Sequence, residues 1–577
     1  MSRVDPITLE VIRNGLASIA DEMALITMRS AYSPVVRDIM DYSTGLCDAK
    51  GRLIAQGLTL PIQLCSFPRV MRHLQERFSG DFSPGDIFIT NDPYGSGGQH
   101  IPDVYVLKPI FFEGAPVGFA ATVAHHTDLG GIVPGSVAIY ATEIQQEGLR
   151  IPLMKLYAAG EPNKTLFNLV ESNTRQPVEV LGDLRAQIAA CSTAEKGLLG
   201  LVERYGPERF TAYVEALHEH AEVLMRETIR ELPNGVYVGE DYLDGLGEAP
   251  EPIRIHATIT IQDDTVDIDF AGTSGQVAAS INCPISLPES AAFTAIRCMA
   301  RRDLPNCDGY LKPITVRAPE GCLLNPIYPA ACGARGVVGY RVFDTVMQAL
   351  AKVVPNRAIG GSEGGPYLLA AGGMWKGRQF VLNEMLVGNW GARAERDGIE
   401  GISNPAANIS NQPVEMIEAE MPVEIIRYGF IPDSGGPGRN RGGLAFVREF
   451  RFLQDTTFTL RGDRRDHPPT GVEGGMPGSP SAHILVAADG TERILPVMPM
   501  HSYTAKKGEV FRLEGAGGGG YGDPFTRDPE RVLADVVEEK VTVEGAARDY
   551  GVVIDPVALR VNLSATENCR AGLQGAA

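Results

Sequence analysis

Cysteine, excess positive charge and long apolar runs are what this chain has little of, and each shortage closes off a class of function. Nine cysteines are scattered over 577 residues, an odd number with no Cys-x-x-Cys pair. That excludes a disulfide framework or a zinc ribbon and reads as the reduced thiols of a cytosolic protein. No apolar run is long enough to cross a bilayer. Met1-Ser-Arg-Val-Asp-Pro leads into an amphipathic helix start rather than a secretory apolar core. Lysine and arginine number 52 against 71 aspartates and glutamates, for a net charge of −19. That balance argues against nucleic acid or an anionic membrane as partner. A phosphate-binding loop is missing too. Gly515 to Asp523 is glycine-rich but lacks the lysine and hydroxyl residue, and Pro524 follows it instead of an opening helix. Asp433 to Gly443 carries Arg439 and Arg441, again with no helix to lend its dipole. Both segments are expected to serve as turns or subunit contacts.

Glycine, by contrast, is plentiful, at 65 residues. The glycines fall among strand-like runs, which implies many tight turns. The expected fold class is α+β, with a mixed α/β N-terminal half whose antiparallel hairpins surround a metal site and a β-rich, glycine-rich C-terminal half. Three regions are expected, 1–235, 236–360 and 361–577. Apolar residues at helical spacing predict helices over Ile7–Ser30, Pro68–Phe78, Val178–Leu198, Pro207–Arg230, 286–301, 338–354 and the charged segment Asp528–Gly551. His218 and His220 are two apart, do not share a helix face, and are expected to be exposed.

The chemistry concentrates in Asn91 to Asp128. Three of the ten histidines, His100, His125 and His126, lie there with Asp92, Asp103 and Asp128. Two apolar runs, Val104–Phe112 and Val117–Ala124, flank Glu113-Gly114-Ala115 and predict a β-hairpin. Asp103 stands eleven residues before Gly114 and His125 eleven after it. Antiparallel pairing therefore returns them to the same end of the hairpin. Pro102 keeps His100 in the loop that enters the first strand. Two imidazoles and a carboxylate thus come within reach of one another, a donor set suited to zinc, manganese or iron. The bland alternative is a set of hydrogen-bonded strand-end histidines. Asp41, just before the strand from Thr44, is a further candidate oxygen donor or a turn aspartate. Glu143, Glu147 and Arg150 are expected to pair at the surface.

The motifs together resemble a known family. NDPY, His100-x-x-Asp103, Ala124-His-His-Thr-Asp, the run from Ala141-Thr-Glu-Ile to Leu149-Arg-Ile-Pro, DSGGPGRNRGGL and GGGGYGDP occur in the order found in the hydantoinase B/oxoprolinase family. The resemblance runs from the first helix to the last Asp-Tyr-Gly-Val-Val. It implies an ATP-dependent enzyme of two components. An A-type ATPase partner binds ATP and phosphorylates the substrate carbonyl, and the B-type chain opens a cyclic amide or imide such as a hydantoin, lactam or oxoproline. It also implies metal ligands at His100, Asp103 and His125, with Asp41 as a further donor. Asp92 and His126 are then the candidate catalytic residues, as general base or as support for a ligating imidazole. Related large subunits belong to ketone carboxylases, so carboxylation with bicarbonate is the second reading. Gln99 stands where threonine is frequent before the histidine, a change that bears on the ligands' supporting contacts.

Overall fold

The computed structural model describes residues 4–574; the first three residues of the expected N-terminal start lie outside them. Helix Pro6–Ser30 begins where the sequence asks it to. Asp5 accepts the Thr8 N–H (2.8 Å) and Pro6 supplies a preset first turn. Its buried stripe, Ile12, Leu16, Ile19, Ala20 and Met23, packs on the long helix Pro177–Tyr205. The two approach closely at Gly197, where any Cβ would press on Ile19.

These helices cover one face of a seven-stranded antiparallel sheet. Its order is Leu53–Gln56, Tyr42–Asp48, Ala115–His125, Asp103–Phe112, Ile87–Thr90, Met154–Ala158 and Glu161–Pro162. Helix Phe67–Phe78 contributes to a second core, with Phe88, Tyr105, Leu107 and Phe119. Both faces are thus buried, which is why Asp103–Ile110 and Gly118–His125 are buried without alternation.

A second sheet follows the order Ile314–Arg317, Thr265–Asp269, Ile253–Gln262 and Gly235–Leu243, with its first pair parallel. Helix Gly336–Ala351 packs on it. The C-terminal half holds a four-stranded and a five-stranded sheet around an aromatic core that includes Phe446, Phe450, Phe452, Phe458 and Phe511. Mixed α/β structure with antiparallel sheets is therefore observed. The main core draws on all three sequence regions, from Ile12 through Ile259 to Leu368 and Met498.

The two glycine-rich segments are neither simple turns nor surface. They run side by side through the interior as bare backbone. The Gly436 N–H donates to the Gly518 carbonyl (2.8 Å), Gly518 to Gly443 (2.9 Å), Gly519 to Gly361 (2.8 Å) and Gly520 to Met476 (2.9 Å). A Cβ at Gly517 would overlap the Ser434 carbonyl, and one at Gly442 the Gly518 carbonyl. Glycine is needed here for close backbone approach, not for turning.

Candidate functional site

The hairpin reaches the expected pairing by an unexpected route. Glu113 and Gly114, both at positive φ (49° and 82°), form a two-residue turn that pairs Phe112 with Ala115. Left uninterrupted, that register would set Asp103 opposite Ala124. A bulge between Ile110 and Phe111, opposite Val117, shifts it by one, and Asp103 faces His125. On the other side, Tyr42 pairs with Ala124, and the His125 N–H donates to the Asp41 carbonyl (2.9 Å). Asp41 is thereby delivered beside His125. The loop bearing His100 is tied down by Asn91, whose amide donates to the carbonyls of Ile101 (2.7 Å) and Leu149 (3.0 Å).

These elements wall a narrow cavity of about 30 Å³, room for a few water-sized groups. Asp41, Gln63, His100 and His125 line one side, and Arg335, Tyr340 and Arg461 come from distant parts of the chain. Apolar walls are supplied by Leu60, Ile62, Leu287, Met385 and Ile409. The His100 and His125 rings lie 5.0 Å apart, centroid to centroid. Burial and then the Arg335 charge lower the His100 pKa to about 4. Burial and then His100 hold His125 well below the usual range. Both imidazoles are neutral at pH 7 and carry lone pairs. Burial, then repulsion from Asp103, raises Asp41 to about 7, opposed in part by Arg335 and Arg461. Its carboxylate accepts from the Gln63 amide (2.7 Å). Burial alone would raise Asp103, but Arg335 and His100 hold it well below the carboxylate range.

Asp41, His100, Asp103 and His125 are thus brought to one place, but they do not close into a coordination shell. Among the described residues no group of three or more His, Cys, Asp and Glu side chains is gathered tightly enough to hold a metal ion. The reason lies at Asp103, whose carboxylate is drawn to the Arg335 guanidinium. The donor chemistry nevertheless fits a divalent ion. The Nδ1 atoms of His100 and His125 are buried without a hydrogen bond. His100 Nδ1 stands 2.9 Å from Asp103 Oδ2 with no hydrogen-bond alignment. That spacing suits an Nδ1–H bond to the carboxylate and equally two neighbouring ligands on one ion with bonds of about 2.1 Å.

The other candidates lie elsewhere. His126 follows His125 and points to the opposite face of the sheet. There its Nε2 meets the Gln187 side chain at 3.0 Å, and Gln187 donates to the Val104 carbonyl (2.8 Å). Asp92 sits in the turn after Ile87–Thr90, accepts the Tyr94 N–H (3.0 Å), and lies 3.9 Å from Arg150. It is not part of the cavity wall.

Two surface expectations, for Glu147 and His218, are corrected. Glu147 is buried, accepts the N–H groups of Cys332 (2.8 Å) and Gly333 (2.6 Å), and is raised by burial to about 8. His218 is buried 3.9 Å from Asp48, while His220 is exposed. Arg150 is at the surface as expected, near Asp92 and over the Tyr328 ring at 5.0 Å.

Sequence reading missed Gln63, Arg335, Tyr340 and Arg461. Gln99, flagged only for its neighbour, accepts from Arg335 (3.2 Å) and donates to the Ile62 carbonyl (2.7 Å), so it positions the arginine. The one local signal was Arg461, a charge ending the alternating strand Thr456–Arg461.

The same arrangement of chain occurs in known proteins. The caprolactamase subunit beta of Pseudomonas jessenii is 32% identical over 568 residues, which cover 96% of this chain and 97% of that one. The crystal structure of ATP-dependent caprolactamase from the same organism superposes with a TM-score of 0.92 at 31% identity, over 99% of this chain and all of that one. The 5-oxoprolinase 1 of Arabidopsis thaliana is 29% identical over 547 residues, 90% of this chain but 42% of that protein. The sequence profile of the hydantoinase B/oxoprolinase family matches residues 5–524, and the chain belongs to that family.

Proposed function

We propose that this chain is the metal-binding B-type subunit of an ATP-dependent amidohydrolase that opens a cyclic amide or imide, a hydantoin, lactam or oxoproline-like ring. The observation that carries the reading is the buried cavity in which the unpartnered nitrogens of His100 and His125 stand beside Asp41 and Asp103. His100, His125 and Asp41, with Asp103 once it is shared with Arg335, would hold zinc, manganese or iron. Such an ion, when bound, lowers the pKa of a bound water toward neutrality.

The chain's own groups do the remaining work. Gln63 orients the Asp41 carboxylate by donating to it (2.7 Å). The cavity, with room for about two water-sized groups, can take a reacting carbonyl and a water while its apolar walls exclude bulk solvent. An unactivated lactam is a poor electrophile, so the carbonyl needs prior phosphorylation. We assign that step, and the ATP, to an A-type partner subunit. The relative called subunit beta, and the plant oxoprolinase that is more than twice as long as the matched region, support a second component. Nine free cysteines fit a reducing, cytoplasmic setting. Among the described residues no helix is long and apolar enough to cross a membrane.

Metal analysis on the purified chain beside its His100→Ala variant tests the reading. Near-stoichiometric metal in the first and none in the second is expected, with ATP-coupled ring opening reduced about a hundredfold or more in the variant. Metal retained at full occupancy by the variant would remove His100 from the site. Incorporation of labelled bicarbonate in place of ring opening would turn the assignment to a carboxylase.

A further inference from the structure

Among the described residues seven arginines are buried: Arg335, Arg341, Arg441, Arg448, Arg461, Arg464 and Arg527. Six of them are paired with carboxylates: Arg335 with Asp103, Arg341 with Asp463, Arg441 with Glu400, Arg448 with Glu384, Arg464 with Asp344 and Arg527 with Asp397. Arg461 is the exception among the described residues. It has no ion pair and no side-chain hydrogen bond, and it lines the cavity. Asp41, the carboxylate of that wall, is engaged by Gln63 instead. A buried charge is normally paired because desolvation is costly, so an unpaired one that faces a cavity marks the place of a missing counter-charge.

We propose that Arg461 is the anion-binding residue of this cavity, where its guanidinium receives an oxyanion group of the ligand. The planar fork matches phosphoryl and carboxylate oxygens. Leu60, Ile62, Leu287 and Met385 also line this space, together with His100 and His125, and the rest of such a ligand would lie outside it. This deepens the amidohydrolase reading and rests on it only for the ligand's source. The oxyanion is either the phosphoryl group of an activated carbonyl or the carboxylate released on ring opening.

The test is calorimetric titration of the purified full-length chain with inorganic phosphate and, separately, with acetate. Wild type, Arg461→Met and Arg461→Lys are compared. Saturable phosphate binding to wild type is expected. It weakens about tenfold or more in Arg461→Met, the loss of a charge-assisted pair, and less in Arg461→Lys. Acetate binding that phosphate does not displace identifies the carboxylate as the recognised group. Phosphate and acetate heats that are absent from wild type, or unchanged in Arg461→Met, overturn the proposal. A thermal melt adds a second readout. Without ligand, Arg461→Met should melt no lower than wild type, since an unpaired buried charge has been removed. A lower melt would give the arginine a structural role and also overturn it. Lost ring opening alongside retained phosphate binding would count against the hydrolase reading alone.

Discussion

The hairpin cavity and the glycine-rich layer are both buried, yet they are built on opposite terms. In the layer, backbone meets backbone. The N–H groups of Gly436, Gly518, Gly519 and Gly520 donate to the carbonyls of Gly518, Gly443, Gly361 and Met476. In the cavity, polar side chains are buried with partners missing: His100 and His125 each have an unbonded nitrogen, and Arg461 has no carboxylate. The first arrangement has nothing left to offer a ligand, whereas the second is incomplete without one. A scaffold satisfies its polar groups internally; a binding site leaves some unsatisfied, at a cost in stability.

Substitutions can break or sharpen that contrast. The largest effect is expected at the one tightly closed pair of the cavity. Arg335→Met leaves Asp103 buried without its cation and should cost about 3–5 kcal/mol in denaturant unfolding. An unchanged unfolding midpoint would mean that the pair is no more closed than Arg461.

Next comes the layer. Gly517→Ala drives a methyl into the Ser434 carbonyl, which is backbone and cannot swing aside. A loss of about 3 kcal/mol, or failure to give soluble protein, is expected. Wild-type stability in that variant would show that the layer opens easily.

A smaller effect concerns Glu147, which is buried against two backbone N–H groups. Its folded pKa, about 8, is raised from 4.5, so its protonated form is favoured in the folded state. Its contribution is fully present below the unfolded value and is lost as pH rises through about 8. The melting temperature of the wild type should therefore fall over that interval, and Glu147→Gln should flatten the slope. Identical slopes would remove Glu147 as its source.

The smallest effect is expected at His126. It faces Gln187 rather than the cavity, so His126→Gln should change ring opening by less than about tenfold. A loss of about 10² to 10⁴, the usual weight of a general base, would bring it back into the chemistry.

Much of the fold was legible because local periodicity carried it. Helices Pro6–Ser30, Phe67–Phe78, Ser286–Arg297 and Gly336–Ala351 begin and end within a few residues of their predicted bounds. The Asp103–His125 pairing was legible as well, although the tight turn and the bulge that produce it were not. A count centred on Gly114 cannot distinguish a longer turn from a two-residue turn plus one inserted residue. The convergence of Asp41, His100, Asp103 and His125 follows from strands that neighbour one another in sequence or in the sheet.

What the sequence by itself determined, then, is the α+β alternation of elements, the hairpin register and the family. Each is written in residues close together or in long ordered motifs. Only the tertiary structure decided that Arg335 takes Asp103, that Arg461 reaches the same cavity from the far half of the chain, and that His126 turns away. It also decided that the glycines pack inside rather than turn outside. Those outcomes depend on which surfaces meet across hundreds of residues. Partner choice for a buried charge is set by that meeting and by the desolvation it imposes, and neither has a local signature.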